Sequence, residues 1–400
     1  MNEIKVSYAQ TVYGKKEIDA VVKCLKESTQ MGKYSSKFEK KISSLFDKKY
    51  GLYVNSGSSA LYIGMEASNF PEGGEVITPA LTFSTTIGCI VKSKLIPVFI
   101  DVGYNDYCID VEAIEKNITS KTVAIVAPNL MGNICNWEKI SEVADKYNLK
   151  VIEDSADTIG GTLNGKLSGS YCDWTITSFY GSHIINCAGN GGMLCMNDEK
   201  MIYDAKLLRS WGRSSSIFDE KSEEIENRFN VEVDGIPYDA KFIFEKIGYN
   251  LEGSEIGAAF GLAQLEDLSE NIKTRKKNFQ RQTVFFNKYK NFIVTPEQTK
   301  NSESAWLAYP IIIKEEAPFS RRDFQIYLEK RNIQTRTVFS GNITRQPGFK
   351  NIEMKISLDG LNNADNVMKG GVLLACHHGL TEEMLAHMHE VCETFLKKYQ

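Results

Sequence analysis

The first half of the chain alternates short apolar runs with stretches of helical pattern. The runs rich in Val and Ile lie at residues 50–56, 75–80, 95–102, 122–128, 149–155, 175–180 and 191–197. Continuous apolar runs separated by helices are typical of parallel strands that are covered on both faces. Because crossovers between parallel strands are right-handed, we predict a three-layer α/β/α domain with its ligand crevice at the carboxyl ends of the strands.

The second half of the chain has a different pattern. Residues 201–250 are irregular, and their acidic stretch at 219–226 indicates a solvated surface segment. A helical pattern then runs without proline from about Ser254 to Tyr289, and residues 290–400 suggest a strand, a helix, a loop and a helix. We therefore predict a large domain over residues 1–255 and a smaller α+β domain over residues 256–400.

Composition narrows the functional class. With 42% hydrophobic and 24% charged residues, the chain has the balance of an ordinary globular protein. A net charge of −4 gives no basic field for nucleic acid, and no apolar window is long enough for a membrane span. The nine cysteines form no CxxC pair, so we expect no metal site and a cytoplasmic setting with reduced thiols.

Two segments that follow apolar runs carry groups suited to a phosphorylated ligand. In NSGSSAL (55–61), backbone N–H groups at a helix start and the hydroxyls of Ser58 and Ser59 could bind phosphate, although an ordinary N-cap turn explains the same residues. In VIEDSAD (151–157), Asp154 stands at the end of a strand, where it could hold a pyridine nitrogen protonated or simply cap a turn.

Two further segments complete the set. In SFYGSHIINCAGNGG (178–192), Ser178 ends a strand and the glycines allow close backbone approach. His183 follows five residues after that serine, although a lone histidine is more often structural. The segment IGYNLEGSEIGAAFGLAQL (247–265) is a turn that leads into the long helical pattern.

These four segments, in this order and spacing, resemble the DegT/DnrJ/EryC1/StrS family of sugar aminotransferases over about residues 5–395. The resemblance implies the aspartate aminotransferase-like fold of type I and a pyridoxal phosphate or pyridoxamine phosphate cofactor. In that family a lysine at the position of His183 binds the cofactor covalently. The nearest lysines here, Lys166 and Lys200, lie outside the segment.

The resemblance also implies roles for particular residues of this chain. Asp154 would pair with the pyridine nitrogen, Phe83 would stack on the ring, and Asp157 would lie near the ring hydroxyl. Asn250 would reach the cofactor phosphate of a neighbouring subunit, which implies a homodimer. The cofactor phosphate would be bound by Gly57, Ser58, Ser59 and Ser178.

Histidine in place of the lysine resembles the sugar 3-dehydratases that act on CDP-4-keto-6-deoxyglucose or GDP-4-keto-6-deoxymannose. This resemblance implies a nucleotide-linked 4-keto-6-deoxy sugar as substrate and an amino acid, glutamate, as amine donor. His183 would move the proton that the reaction requires. The segment TRTVFSGNITRQPGF (335–349) would contact the sugar nucleotide through Arg336, Asn342 and Arg345.

One departure from the CDP-specific group concerns its iron–sulfur cluster. Serines and an isoleucine occupy residues 214–217, after SWGR (210–213), where that group has cluster cysteines. We therefore expect no iron–sulfur cluster. Two alternatives to a dehydratase stay open, a sugar aminotransferase-like enzyme and a catalytically inactive scaffold protein of the same fold. The identities of the nucleotide and of the sugar are also open.

Overall fold

The computed structural model describes residues 4–217 and 225–400. The helices of these ranges are α1 Lys15–Glu27, α2 Lys33–Ser44, α3 Gly57–Ala67, α4 Ser84–Lys92, α5 Val111–Ile114, α6 Trp137–Tyr147, α7 Glu199–Arg209, α8 Ile225–Phe229, α9 Glu255–Glu266, α10 Leu268–Phe286, α11 Arg321–Glu329, α12 Asn362–Gly370 and α13 Glu382–Leu396. The strands are β1 Tyr50–Val54, β2 Glu75–Pro79, β3 Ile96–Ile100, β4 Thr122–Pro128, β5 Lys150–Asp154, β6 Thr162–Leu163, β7 Lys166–Leu167, β8 Trp174–Ser178, β9 Gly192–Met196, β10 Val231–Val233, β11 Ile236–Tyr238, β12 Ile293–Val294, β13 Ser302–Glu303, β14 Ala308–Ile313, β15 Lys355–Ile356 and β16 Gly371–Ala375.

A large sheet of the order β1-β9-β8-β5-β4-β2-β3-β15 organises the molecule. Its interior strands are buried, as their continuous apolar runs predict, and neighbouring pairs from β8 to β15 are parallel. This confirms the predicted α/β class and the aspartate aminotransferase-like architecture. The expectation that every run forms a parallel strand is wrong for β9, which pairs antiparallel with both β1 and β8. No helix lies between β8 and β9, so the chain returns without the crossover that a parallel strand needs.

The C-terminal part of the chain has its own three-stranded antiparallel sheet, β12-β14-β16, together with α11, α12 and α13. It also supplies β15, which pairs parallel with β3 at the edge of the large sheet. The C-terminal part therefore contributes a strand to the large sheet. It also contacts the N-terminal part through side chains. The division at residue 255 stays a prediction.

The long helical pattern of the C-terminal half is interrupted in the structure. The single helix expected from Ser254 to Tyr289 is two helices, α9 and α10, because Asp267 between them has φ −101° and ψ 4°. Near the N-terminus, α1 ends at Glu27 and α2 begins at Lys33. Glu255 accepts hydrogen bonds there from the backbone N–H groups of Gly32, Tyr34 and Ser35.

Two other expectations concern the surface. The acidic stretch at 219–226 lies mostly outside the described residues, since its positions up to 224 are not among them. Within the described ranges, no helix combines the length and the apolar character that crossing a bilayer requires.

Candidate active site

A cavity of about 380 Å³ opens where the carboxyl ends of β5 and β8 approach the start of α3. This is the edge at which ligands bind in sheets of this kind. Three of the four segments named in the sequence analysis, 55–61, 151–157 and 178–192, converge there. Of the residues predicted to bind the cofactor or to carry the proton, those that line the cavity are Gly57, Ser58, Phe83, Asp154, Asp157, Ser178 and His183.

The turn before α3 and the end of β8 are pressed together at one side of the cavity. Ser56 caps α3 by accepting a hydrogen bond from the Ser59 N–H at 3.0 Å. A Cβ atom on Gly57 would lie 2.8 Å from the Cβ of Ser178, so only glycine allows this approach. The first turn of α3 and the Ser178 hydroxyl therefore form a concave surface suited to an anion.

The two neighbouring serines of this turn behave differently. The Ser58 hydroxyl donates to Thr85 Oγ1 at 3.1 Å at the cavity wall. The Ser59 side chain is buried and donates to Asn55 Oδ1 at 2.6 Å. Ser59 thus faces the interior in this structure, and its role in phosphate binding stays a prediction.

Asp154, the last residue of β5, presents a buried carboxylate to the cavity. Its Oδ2 accepts a hydrogen bond from Thr86 Oγ1 at 2.7 Å, and its Oδ1 accepts from the Ala156 N–H at 3.2 Å. Burial raises the pKa of Asp154, while these hydrogen bonds oppose the change. Among the residues described, no lysine, arginine or histidine forms an ion pair with this carboxylate. A protonated ring nitrogen would supply the missing positive charge, so the residue fits the cofactor.

Asp157 lies close to Asp154 on the same cavity wall. Its Oδ2 accepts a hydrogen bond from the Met131 N–H at 2.8 Å. Burial raises the pKa of Asp157 to about 7, and the charge of Asp154 adds to this effect. Asp157 can therefore either donate or accept a hydrogen bond near neutral pH.

His183 is half-buried on the loop between β8 and β9 and lines the cavity. Its Nδ1 lies 3.2 Å from the carbonyl oxygen of Ser178. Since a carbonyl only accepts, Nδ1 carries the proton in this contact and Nε2 keeps the lone pair. Burial lowers the pKa of His183 to about 4, an effect that the Ser178 hydrogen bond opposes and the Arg275 charge increases. The side chain is therefore a neutral base at physiological pH.

The loop that carries His183 is fixed at both ends. The Phe179 N–H donates to the Gly191 carbonyl at 2.9 Å, and the Cys187 N–H donates to the Phe179 carbonyl at 3.2 Å. The Thr11 hydroxyl donates to the Gly181 carbonyl from the N-terminal segment. No lysine lines the cavity within the described residues. The structure thus holds an imidazole where the resemblance expects a lysine.

Of the three residues predicted to contact the sugar nucleotide, one lines a space that a ligand could enter and two do not. Arg336 lines an open groove of about 520 Å³ that adjoins the cavity. Asn342 is buried, and its Nδ2 donates to Asp365 Oδ1 at 2.8 Å. Arg345 forms an ion pair with the same Asp365. Asn342 and Arg345 line neither space, so their contact with substrate stays a prediction.

Asn250 is exposed and does not line the cavity of its own chain. Its backbone forms a bridge to Ser210, and the next residue, Leu251, accepts a hydrogen bond from the Asn55 N–H at 2.9 Å. The side chain is therefore available to a neighbouring molecule. Its predicted contact with a partner's cofactor is untested in a single chain.

Several cavity residues were not singled out from the sequence. Tyr8 comes from the N-terminal segment, Thr85 from α4, Tyr180 and Asn190 from the His183 loop, and Phe339 from the C-terminal part. Tyr180 and Asn190 could have been found from their place in the 178–192 motif. Tyr8 and Phe339 reach the cavity only through tertiary packing.

The segment after Trp211 contains the serines found where cluster cysteines were considered. Ser214 is buried and donates to the Ala240 carbonyl at 2.9 Å, and Ser215 and Ser216 line a separate cavity of about 520 Å³. Across residues 4–217 and 225–400, no group of three or more His, Cys, Asp or Glu side chains is placed to hold a metal ion. The residues present in this segment offer hydroxyl oxygen instead of the thiolate that iron–sulfur clusters bind.

Known proteins are similar to this chain in sequence and in fold. The lipopolysaccharide biosynthesis protein RfbH of Salmonella typhimurium is 33% identical over 395 residues, covering 96% of this chain and 90% of that protein. The dTDP-4-dehydro-2,6-dideoxy-D-glucose 3-dehydratase of Saccharopolyspora spinosa is 32% identical over 377 residues, covering 92% and 81%.

The fold is matched by a solved structure of the E. coli GDP-4-keto-6-deoxy-D-mannose-3-dehydratase with bound hydrated PLP. It has a TM-score of 0.85 and 25% identity, and the match covers 98% of this chain and 100% of that one. The family model described as the DegT/DnrJ/EryC1/StrS aminotransferase family matches residues 12–395. The chain therefore belongs to the DegT/DnrJ/EryC1/StrS aminotransferase family.

Proposed function

We propose that this protein binds pyridoxamine phosphate or pyridoxal phosphate and removes the 3-hydroxyl group of a nucleotide-linked 4-keto-6-deoxy sugar. The observation that carries the proposal is a neutral, cavity-lining His183 at the position of the family's lysine. Two named 3-dehydratases among the similar proteins support the same reaction class. The family also contains aminotransferases, so the residue at position 183 is the feature that favours dehydration.

The site provides the contacts that such a cofactor requires. When bound, pyridoxamine phosphate supplies an amine that condenses with a keto group and a ring that stabilises a carbanion. Asp154 holds the ring nitrogen protonated, and the first turn of α3 with Ser178 binds the phosphate. Asp157 forms a hydrogen bond with the ring hydroxyl, as the acceptor when it is ionised and as the donor when it is protonated.

His183 is the proton carrier of the proposed reaction. Nε2 accepts a proton from the carbon that bears the cofactor's amine, because Nδ1 is already committed to the Ser178 carbonyl. The same nitrogen then delivers that proton to the departing 3-hydroxyl oxygen, which leaves as water. An imidazole forms no imine with the cofactor's aldehyde, so it stays available for both transfers.

The overall equation balances with an amino acid as the reductant. The sugar exchanges its 3-hydroxyl group for hydrogen, and glutamate is oxidised to 2-oxoglutarate with release of ammonia. No reductase or iron–sulfur centre is needed for these two electrons. Glutamate is our proposed donor.

A product panel tests this function. The protein is incubated with pyridoxamine phosphate, glutamate and the CDP-, GDP- and dTDP-linked 4-keto-6-deoxy sugars, and products are read by mass. We expect one nucleotide series to yield a sugar that has lost one oxygen atom. Gain of nitrogen would instead identify an aminotransferase, and no change in any series would favour the inactive scaffold.

We also propose a homodimer. Its support is an exposed apolar surface on residues 229–249, where Ile247 is 96% exposed and Ile236 is 62% exposed. Apolar side chains this exposed commonly mark an interface. Asn250 follows this surface directly and is exposed as well. A second copy covering the surface would bring Asn250 near a neighbouring subunit.

A further inference from the structure

The cavity and the open groove share a boundary, which we call the neck. Three residues line both spaces, namely Tyr8, Phe83 and Phe339. The rings of Phe83 and Phe339 meet edge to face, with their centroids 6.2 Å apart. A molecule that extends from His183 in the cavity to Arg336 in the groove crosses the boundary that these three side chains line.

Tyr8 supplies the one polar side chain of the neck. Its backbone position is fixed by the C-terminal part of the chain. The Val6 N–H donates to the Asn332 carbonyl at 2.8 Å, and the Gln334 N–H donates to the Val6 carbonyl at 2.9 Å. The Tyr8 N–H donates to Gln334 Oε1 at 3.2 Å. These contacts hold Tyr8 as a built part of the wall.

The surroundings of Tyr8 keep its phenol protonated. Burial raises its pKa well above the ordinary value, and the charge of Asp157 adds to this effect while Arg336 and Arg275 oppose it. The guanidinium of Arg336 lies 5.5 Å from the centroid of the Tyr8 ring. A neutral phenol next to a cation can donate a hydrogen bond at the entrance to the part of the groove that Arg336 lines.

We infer that the Tyr8 hydroxyl contacts the sugar of a nucleotide-linked sugar at the neck and helps to distinguish it from the free nucleotide. This inference rests on the substrate class of the proposed function. The reacting sugar carbons must lie in the cavity near His183, and the diphosphate suits Arg336 in the groove. The end of the sugar that carries the diphosphate then lies at the neck, where Phe83 and Phe339 offer only apolar contact.

Binding measurements separate this role from general damage. Calorimetry with cofactor-loaded protein would use CDP-, GDP- and dTDP-hexoses without a keto group, and the matching nucleoside diphosphates. In Tyr8→Phe we expect affinity for the hexose of the preferred nucleotide to fall about tenfold, the scale of one hydrogen bond. Affinity for the free diphosphate should not change. Tyr13→Phe removes a hydroxyl from the same N-terminal segment outside the neck and should leave both affinities at the wild-type value.

The outcomes distinguish the two proposals. Equal hexose affinity in wild type and Tyr8→Phe would overturn the role of Tyr8 and leave the proposed function standing. An equal loss for hexose and diphosphate would also overturn it, since the hydroxyl would then act on the groove as a whole. Failure of the wild type to bind any nucleotide-linked hexose would overturn both proposals.

Discussion

At the scale of single residues, the reaction that we propose for the site depends on which side chain stands at position 183. The imidazole is oriented by the Ser178 carbonyl and kept neutral by burial. Both effects come from the loop backbone and from the cavity wall, so they persist without any bound molecule. A lysine at the same position would have an amine where the imidazole now ends.

His183→Lys tests whether this position faces the cofactor. We expect the variant to bind pyridoxal phosphate covalently, because its amine can condense with the cofactor's aldehyde. Borohydride reduction followed by intact-protein mass would show the added cofactor. The wild-type chain, treated identically, should show none. A variant that stays unmodified would indicate that residue 183 points away from the cofactor.

Asp157 makes the stability of the cofactor-free protein depend on pH. Its pKa is about 7 when folded and 3.8 when unperturbed, so the folded state holds its proton over a range where the unfolded state has lost it. The free energy of unfolding therefore falls as pH rises through this range, by a few kcal/mol in order of magnitude. Asp157→Asn keeps an oxygen for the Met131 N–H and should flatten this fall.

Urea unfolding at pH 5 and pH 8 measures the effect. The wild type should lose more stability between the two pH values than Asp157→Asn does. Equal losses in the two proteins would contradict the assignment of this titration to Asp157.

At the scale of elements, a side chain of α9 caps the start of α2 by accepting hydrogen bonds from its backbone N–H groups. Glu255 accepts three backbone hydrogen bonds and one from the Ser35 hydroxyl. Because the Ser35 donors are buried and those of Gly32 and Tyr34 are half-buried, leaving them unpaired costs free energy, and Glu255→Ala should lower the free energy of unfolding by about 1–3 kcal/mol. Glu266→Ala, an exposed residue of the same helix, should change it by less than about 0.5 kcal/mol. Chemical denaturation compares the two, and similar losses would argue against the capping role.

The elements also show how far the sequence pattern reaches. Buried runs and their helices predict most strands of the large sheet, since burial on both faces removes polar positions from the sequence. The direction of β9 is not encoded in its apolar run, because parallel and antiparallel strands of a covered sheet read alike. The break at Asp267 was missed because its backbone change carries no proline or glycine.

The candidate site was predictable where its residues lie in local sequence motifs, and not where distant parts of the chain bring them together. Asp154, Ser178 and His183 lie within local motifs at strand ends, which the sequence displays directly. Tyr8 enters the site only because the N-terminal segment pairs with residues 332–334, a contact between distant parts of the chain. Asn342 and Arg345 were chosen by motif, yet the Asp365 that binds both of them lies on α12.

At the scale of the whole molecule, the proposed dimer predicts complementation between two inactive variants. If Asn250 serves the neighbouring subunit, His183→Asn and Asn250→Ala should each be inactive alone. Mixing them after unfolding and refolding should restore about a quarter of wild-type activity, the share of intact sites in a randomly mixed two-fold dimer. Light scattering would establish the oligomeric state in parallel. No recovery from a dimeric mixture would place Asn250 in the site of its own chain.

The central claim concerns a proton carried by His183, and His183→Asn tests it most directly. The measurement is the rate of oxygen loss from the preferred nucleotide-linked 4-keto-6-deoxy sugar, followed by mass, with cofactor content checked by absorbance. We predict a fall of about 10²–10⁴-fold, the usual contribution of a general acid–base group, with cofactor still bound. A variant that retains the wild-type rate of oxygen loss would contradict the account.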